Sequence, residues 1–377
     1  MMKNVKELPV PTLMISTCGI SLLFNRADND TKTLFSKTAN FVMEAFLSEQ
    51  KEVVDAKVSE CKSILANADT ALMKKLSAEL NGISGYYKGQ LSGNGQDQHV
   101  LLHTDTYLGV RTAEILEEFL QTRNLCVTKQ TFSGLRTDTL DNFQGSITEL
   151  IKWCEETLPG YRNSKYRIVF NLTGGFKSIQ GWMQTLGMFY ADEIVYIFES
   201  GQELLRIPRI PVAIDDGVSK VIEQHLSLFR RLAAPSGTCK ISELADIPEA
   251  FYFLLGDEAE LSPWGKLVWE RSRNAIYGSR LHEPPSDRIR FTVNFRNVAG
   301  SLTKDRFVTL NERIDDLAEY LRTDQYTKRL DFKALKGNPR PPSTHECDAW
   351  ADRGAWRIFM HFDQDTLVLD DLGEGLH

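Results

Sequence analysis

The chain has 377 residues, of which 42% are hydrophobic and 25% charged, a composition that is ordinary for a globular protein. A chain of this length is longer than a single hydrophobic core usually organises, so we expect two or three domains. No apolar run approaches the roughly 18 residues of a membrane-spanning helix, and the N-terminus lacks the apolar core of a secretory signal, so we exclude a membrane protein and expect a cytoplasmic one. The net charge of −7 excludes a generally basic nucleic-acid-binding surface, so any phosphate site must be local.

The cysteines indicate neither a metal site nor a disulfide framework, because they lie far apart and form no CxxC pair. We therefore expect buried thiols, no bound metal and no cofactor. The six positions are Cys18, Cys61, Cys126, Cys154, Cys239 and Cys347.

The first part of the chain, residues 1–212, is typical of an α/β domain. Short apolar runs alternate with amphipathic stretches, which predicts a Rossmann-like parallel sheet wrapped by helices. Lys51–Gly95 is predicted to be a helical insertion after the first strand. The predicted strands are Leu13–Ile15, Val100–His103, Cys126–Gln130, Tyr166–Asn171 and Glu193–Phe198, and the predicted helices are Val110–Arg123, Phe143–Leu158 and Ile179–Phe189.

Residues 213–284 change pattern after the proline-rich segment Ile207–Pro211. Short helical stretches separated by turn and cap residues predict a small α-helical domain. These stretches are Gly217–Leu232, Ile241–Ala245, Pro248–Leu255 and Trp264–Tyr277. The arrangement resembles a winged helix-turn-helix, in which Pro248–Glu260 would be the recognition helix.

That candidate recognition helix is acidic. A helix that reads DNA needs side chains that neutralise phosphates, and Pro248–Glu260 contains no Lys or Arg. Its charged residues are Glu249, Asp257, Glu258 and Glu260. We therefore expect this domain to be a connector or a protein-docking module rather than an operator-binding one.

Residues 285–377 predict a compact α+β domain. Arg290–Phe295 alternates as a strand, and Arg306–Leu321 has the spacing of an amphipathic helix. Trp356–Phe362 and Thr366–Asp371 predict two antiparallel strands joined by a short polar turn.

Three segments follow predicted strands of the first domain, where open α/β sheets bind their ligands. They are Ser16–Leu23, Thr104–Gly109 and Asn171–Ser178. In the third segment, paired glycines would let backbone amides approach an anion at a helix N-terminus, and Lys177 adds a positive charge. The spacing differs from the GxxxxGKS of a P-loop, so the segment indicates phosphate binding rather than triphosphate hydrolysis.

These segments resemble the CARF family of CRISPR-associated Rossmann-fold sensors, over roughly Thr12–Ile214 and above all in the Thr-Gly-Gly-Phe-Lys-Ser run. The resemblance implies a homodimer that binds one ring of adenylates across its two-fold axis. Cyclic tetra-adenylate is the commonest ligand of the family, and the ring size stays open here. In members that also cleave the ring, Thr17, Ser21 and Lys177 would be placed to do so. The residues placed at the ligand are Thr17, Ser21, Asp105, Thr106, Asn171, Thr173, Gly174, Gly175 and Lys177.

The last domain carries groups suited to RNA cleavage without a metal. Such a reaction uses the 2′-hydroxyl of the RNA as nucleophile and needs a base, an acid and cations around the phosphate. The candidate groups occur in the order Lys333, Lys336, Arg340, Arg353, Arg357 and His377.

Residues 290–377 resemble RelE/YoeB-type mRNA interferases through Leu335–Asn338, Trp350 with Arg353, Trp356–Phe359 and the terminal histidine. The resemblance implies that Arg357 binds the scissile phosphate, that Arg353 positions the substrate and that His377 acts as acid or base. The chain departs from the family in two ways: Lys333 stands where YoeB enzymes have their basic glutamate, and no tyrosine follows the terminal histidine. The general base therefore stays open between Lys333, Lys336 and His345.

The three domains together resemble the CRISPR-Cas-associated mRNA interferases. The resemblance implies an endoribonuclease that cyclic oligoadenylate activates and that cleaves mRNA in the ribosomal A site, arresting translation in type III CRISPR antiviral defence. Its partners would be a second copy of the chain, the ribosome and mRNA. The alternative is a ligand-controlled, DNA-binding transcription regulator with a degenerate RelE-like domain. A protein that only degrades the ring would leave the C-terminal domain unexplained.

Overall fold

The computed structural model describes residues 10–92, 95–198, 203–213, 215–235, 237–337, 339–352 and 354–375. The chain forms two compact units, Met1–Ala213 and Ile214–His377, so the predicted boundary at residues 284 and 285 lies inside the second unit. Within the described ranges, no helix is long and apolar enough to cross a membrane. All cysteines are free thiols, and they are buried as expected except for Cys126, which is exposed.

The first unit contains a mixed, Rossmann-like sheet of six strands in the order β3-β2-β1-β4-β5-β6. Strands β1 to β5 are parallel, and β6 runs antiparallel to β5. The predicted strands correspond to β1 to β5, whereas β6 was missed because its prolines suggested a linker. The bounds are β1 (Thr12–Cys18), β2 (Gln98–His103), β3 (Cys126–Gln130), β4 (Arg167–Asn171), β5 (Glu193–Ile197) and β6 (Leu204–Pro208).

Helices surround this sheet, and three of them, α6 to α8, are the predicted ones. The predicted insertion after β1 is also helical and contributes α3, α4 and α5. Helix α5 packs against β1, β4 and β5, so the insertion covers part of the sheet. The bounds are α1 (Ser21–Phe24), α2 (Asn29–Lys37), α3 (Ser48–Ala66), α4 (Thr70–Leu76), α5 (Ala78–Tyr86), α6 (Tyr107–Thr122), α7 (Leu140–Asn163) and α8 (Lys177–Tyr190).

The second unit begins with helices and a small antiparallel sheet. The sheet has the order β7-β9-β8, so the small domain that was predicted from its helices also contains three strands. The predicted helix Gly217–Leu232 is two helices that meet at His225, and Ile241–Ala245 is only a single 3₁₀ turn. The bounds are α9 (Asp216–Gln224), α10 (Leu226–Ala233), β7 (Cys239–Lys240), β8 (Tyr252–Leu255), β9 (Glu258–Leu261) and α11 (Pro263–Tyr277).

The prediction that Pro248–Glu260 forms a recognition helix is wrong, because this segment forms a β-hairpin. A 3₁₀ turn at Glu249–Phe251 leads into β8, and β9 pairs antiparallel with it. Gly256, at φ +63°, lies in the two-residue connection, where a hairpin needs the backbone freedom of glycine. The segment therefore lacks the helix that would enter a major groove.

The rest of the second unit is an α+β fold with a sheet of five strands in the order β10-β14-β13-β12-β11. Strand β10 is parallel to β14, and the other neighbours are antiparallel. The predicted strand Arg290–Phe295 ends early because the Thr292 hydroxyl accepts a hydrogen bond from the Phe295 amide and caps a helix. The bounds are β10 (Ile289–Phe291), α12 (Val293–Ala299), α13 (Lys304–Thr323), β11 (Lys333–Ala334), β12 (His345–Trp350), β13 (Trp356–Asp363) and β14 (Thr366–Glu374).

A buried polar network joins the two parts of the second unit. Arg230 on α10 is fully buried, and its Nε lies 2.6 Å from Asp315 Oδ1 on α13. Its other nitrogens donate to the carbonyl oxygens of Glu283 and Asn311. The Tyr277 hydroxyl donates to the same Asp315 carboxylate. Because a buried charge is costly unless it is paired, these contacts tie α10 and α11 to α13.

Candidate functional site

The three predicted ligand segments lie at the carboxyl edge of the first sheet. The chain passes from β1 outward to β2 and β3, and from β4 in the other direction to β5. The crevice between β1 and β4 is therefore a topological switch point, the usual ligand position of an open α/β sheet. The predicted ligand segments that follow β1 and β4 lie on the two sides of this crevice.

Glycines let the loops after β1 and β4 touch. A Cβ on Gly19 would lie 3.2 Å from the Gly175 amide nitrogen, and a Cβ on Gly175 would lie 2.8 Å from Thr17 Cβ. Gly175 also has φ +96°, a conformation that other residues rarely adopt. The paired glycines thus allow these two loops to approach each other closely, a role that is separate from ligand binding.

Two predicted ligand residues form buried hydrogen bonds that connect the two sides of this crevice. Thr17 and Asn171 are fully buried. The Thr17 hydroxyl donates to the Gly174 carbonyl oxygen at 2.6 Å, and Asn171 Nδ2 donates to Ser16 Oγ and to the Glu79 carbonyl oxygen. In this conformation they shape the loops and present no surface to a ligand.

Glu79, which the sequence analysis did not single out, occupies the crevice. It is fully buried, and its Oε1 accepts a hydrogen bond from the Gly19 amide at 2.8 Å. Its Oε2 accepts from the hydroxyls of Ser21 and Ser77, at 3.2 and 2.6 Å. A Cβ on Gly174 would lie 2.2 Å from this carboxylate. An anion of the protein itself therefore fills the place where a ligand phosphate could meet the Gly19 amide.

The exposed part of the predicted phosphate loop is at the start of α8. Lys177 is exposed there, and no side chain caps the helix from Phe176, its N-cap residue within the described segment. The first amides of a helix attract anions. Thr173 adds a buried hydroxyl oxygen for which the described residues provide no hydrogen-bond partner. This helix start is the accessible side of the crevice.

The predicted pair after β2 is engaged in local structure. Thr106 is buried and caps α6 by accepting the Gly109 amide. One oxygen of Asp105 accepts the Gly134 amide at 2.7 Å and pairs with Arg136. Its other oxygen is buried and has no hydrogen-bond partner in the described part of the chain, so a ligand could reach it only after this segment moves.

In the second unit, Arg357 lies on β13 in a cluster of charged side chains. Its Nη1 lies 2.6 Å from Asp348 Oδ1 on β12 and 2.9 Å from Asp331 Oδ2. Lys333 on β11 also pairs with Asp331, at 2.7 Å. Hydrogen bonds from Lys333 and Arg357 hold the pKa of Asp331 below its ordinary value. The two predicted catalytic cations are thus brought together, and acidic neighbours neutralise them.

Glu346 is a further member of the cluster that the sequence analysis missed. It lies on β12 two residues before Asp348, so both side chains are on the same face of the sheet. Its carboxylate is 3.7 Å from the Lys333 ammonium. The side chain is mostly buried, and its Oε2 atom finds no hydrogen-bond partner among the described residues. One oxygen of this carboxylate is therefore an unsatisfied acceptor beside the Lys333 ammonium.

Arg340 lies beside this cluster, on the same face of the sheet. Its guanidinium lies 4.2 Å from the centre of the Phe359 ring and pairs with Asp371 at 2.6 Å. Gly373 is the β14 residue opposite Arg357, and a Cβ there would lie 3.0 Å from Arg340 Nη2. The absence of a side chain at Gly373 lets two guanidinium groups share this face.

The remaining predicted residues do not join the cluster. His345 neighbours Glu346 on β12 and so points to the other face, where it stacks on Phe332 and burial lowers its pKa. Lys336 is exposed on the loop after β11. Arg353 and His377 lie outside the described residues. Of the three candidates for the base, only Lys333 is beside Arg357.

A second pair suited to proton transfer lies farther along β13. His361 Nδ1 is 2.9 Å from Asp370 on β14, and the Ser343 hydroxyl donates to the same carboxylate at 2.8 Å. In the described ranges, no cluster of three or more His, Cys, Asp or Glu side chains is arranged to hold a metal ion.

Comparison with known proteins bears on the first unit. Residues 74–210 match the family described as CRISPR-associated protein (Cas_APE2256). The match indicates a CRISPR-associated protein. The matched region includes α5 with Glu79, strands β2 to β6 and the loop that leads into α8, so it contains the β4 side of the crevice, but neither β1 nor the second unit. No curated protein matches the chain.

Proposed function

We propose that this chain is an endoribonuclease that a cyclic oligoadenylate controls. The first unit would bind the ring as a homodimer, and the second unit would cleave mRNA on the ribosome. The CRISPR-associated match over residues 74–210 supports the first half, together with an anion-binding helix start at a switch point. The observation that carries the second half is the face on which Arg357, Lys333 and Glu346 meet.

The cluster supports cleavage by internal attack. Glu346 would take the proton of the RNA 2′-hydroxyl as its oxygen attacks phosphorus, and the bond to the 5′-oxygen would break to leave a 2′,3′-cyclic phosphate. Arg357 and Arg340 would bind the negative phosphate oxygens as charge develops. The departing 5′-oxygen needs a proton, for which the sequence resemblance offers His377. Glu346 would thus act as the general base in place of the YoeB glutamate, whose position Lys333 occupies.

The acidic neighbours support a resting state of low activity. Asp331 and Asp348 hold the Arg357 guanidinium that the substrate phosphate would need. An RNA phosphate must displace at least one of them before Arg357 can act. The ribosome would favour this exchange by presenting the mRNA at a fixed position.

The DNA-binding alternative has less support. The segment predicted to read DNA is a hairpin, and the acidic residues Glu258 and Glu260 are on its second strand. These side chains would repel a DNA backbone. The presence of Glu346 also removes the main reason to regard the last domain as degenerate.

The test is cleavage of mRNA by the full-length protein. Ribosomes programmed with a defined mRNA would be incubated with the protein, with and without cyclic tetra- or hexa-adenylate, and cleavage mapped by primer extension. We expect cuts in the A-site codon only with one of the rings, and none with Glu346→Gln. Arg290→Gln, which removes an exposed charge paired with Asp363, is the matched control. Equal cleavage by Glu346→Gln would refute its role, and no cleavage with a ring that calorimetry shows to bind would refute the nuclease.

A further inference from the structure

A cavity of about 580 Å³ with polar and apolar lining lies within the second unit, apart from the charged face of β13. Four segments line it: α10, the residues between α10 and β7, the C-terminal half of α13, and residues 285–288 that lead into β10. The volume is in the range of pockets that hold small organic ligands. Such pockets are frequent where two substructures meet, as the helix-hairpin part and the α+β part do here.

Arginines dominate the lining of this cavity, although the chain as a whole is acidic. The four arginines outnumber the three carboxylates of Asp287, Asp315 and Glu319. The arginines are Arg230, Arg231, Arg288 and Arg322. Three of them are paired with carboxylates, Arg230 with Asp315, Arg231 with Glu243 and Arg322 with Glu319. Arg288 binds the Leu321 carbonyl oxygen instead, so its positive charge is the one that favours an anion in this concave site.

The arginines are fixed in place by acceptors of the protein. Arg230 is fully buried and bound to Asp315. Arg288 donates to the Leu321 carbonyl oxygen, and Arg322 is held by Glu319 and by the Pro235 carbonyl oxygen. Each guanidinium has five N–H groups in a rigid fork, so these contacts orient it and leave further donors for a ligand.

Neutral donors complete the lining. Ser227, Thr238 and Ser286 add hydroxyl groups beside the arginines. Guanidinium groups bind phosphate with two parallel hydrogen bonds, and hydroxyls can bind further phosphate or sugar oxygens. Both kinds of donor are available within one cavity.

We propose that this cavity binds a phosphorylated small molecule of nucleotide size. The phosphate would lie between Arg288 and Arg322, with the organic part directed toward Ser227 and Thr238. Such a ligand would bridge α10 and α13 and so brace the helix-hairpin part against the α+β part. This proposal is independent of the nuclease activity and of the ring-binding crevice in the first unit.

The experiment compares three probes on the full-length protein: inorganic phosphate, AMP and ATP. Binding would be measured by calorimetry and by the thermal transition of the protein. The double variant Arg288→Gln, Arg322→Gln removes these two charges, and Arg290→Gln, whose exposed side chain pairs with Asp363 outside the cavity, is the control. Because the loop before α8 could also bind nucleotides, the difference between the variants is the readout.

We expect a nucleotide to bind more tightly than inorganic phosphate, to raise the transition temperature, and to lose roughly tenfold or more in affinity in the double variant but not in the control. A double variant whose unliganded transition matches that of the wild type would show that the loss is not misfolding. The proposal is overturned if no probe binds, if the double variant binds as the wild type does, or if inorganic phosphate binds as tightly as the nucleotides.

Discussion

If the first unit binds cyclic oligoadenylate as proposed, replacing Glu79 by glutamine should tighten that binding. The carboxylate lies in the crevice between β1 and β4 and accepts hydrogen bonds from the Gly19 amide and two serine hydroxyls. Glutamine keeps the length and one acceptor oxygen, and serine hydroxyls can turn to accept from its amide. The fold should therefore tolerate the change while the negative charge is lost.

The size of the effect follows from the repulsion between this carboxylate and a ligand phosphate. Two like charges about 5 Å apart interact with roughly 3 kcal/mol at an effective dielectric constant of about 20. Screening by salt and movement of the ligand reduce this figure, so a gain of about 1.4 kcal/mol, or roughly tenfold in affinity, is the working expectation. The gain should shrink if the ring phosphates lie only at the start of α8.

The assay is calorimetric titration of Glu79→Gln and the wild type with cyclic tetra- and hexa-adenylate. Glu118→Gln, which removes an exposed charge paired with Lys62, is the control for a general loss of negative charge. Unchanged or weaker ring binding by a folded Glu79→Gln protein would refute the idea that this carboxylate opposes the ligand. An equal gain in Glu118→Gln would also refute it, because the effect would then not be local.

Three further predictions follow. Arg357→Ala should reduce mRNA cleavage by about 10²-fold or more, with ring binding by calorimetry unchanged; cleavage near the wild-type rate would contradict its role. Gly175→Ala should destabilise the first unit by about 1–3 kcal/mol in denaturant unfolding, because its φ is +96° and its Cβ would meet Thr17. Burial lowers the pKa of His99 from 6.5 to about 4. The contribution of neutral His99 to the free energy of unfolding is therefore fully present above pH 6.5. About 3 kcal/mol of that free energy is lost as the pH falls through 4. Urea unfolding across this range should show that loss, and His99→Gln should flatten it.

The parts of the fold that local pattern determines were predictable. The strands β1 to β5 are apolar runs that end in polar turns, and the hairpin of β13 and β14 alternates around a polar connection. Strand β12 was missed although Cys347 and Ala349 point to the core and Glu346 and Asp348 do not. Its inward side chains are small, so the alternation is weak, and Glu346 was overlooked together with its strand.

The parts that depend on contacts distant in sequence were not predictable in the same way. Glu79 is informative only because it reaches Gly19, 60 positions earlier in the chain, and nothing in the helical pattern of α5 marks it. The hairpin at residues 252–261 was mistaken for a helix because its apolar run is short. Gly256, at φ +63°, is the local signal for the turn.

The buried contacts of Arg230 limit how this protein can be divided. A fragment that starts at residue 285 would lose α10 and α11 and leave Asp315 and Asn311 on α13 without their partners. The α+β part of the second unit is therefore not separable from the helices before it, and we expect the two parts to unfold cooperatively. Exchange of the first unit should therefore be tolerated more readily than exchange of the last hundred residues, and a fragment designed to fold by itself should begin near residue 214 rather than near 285.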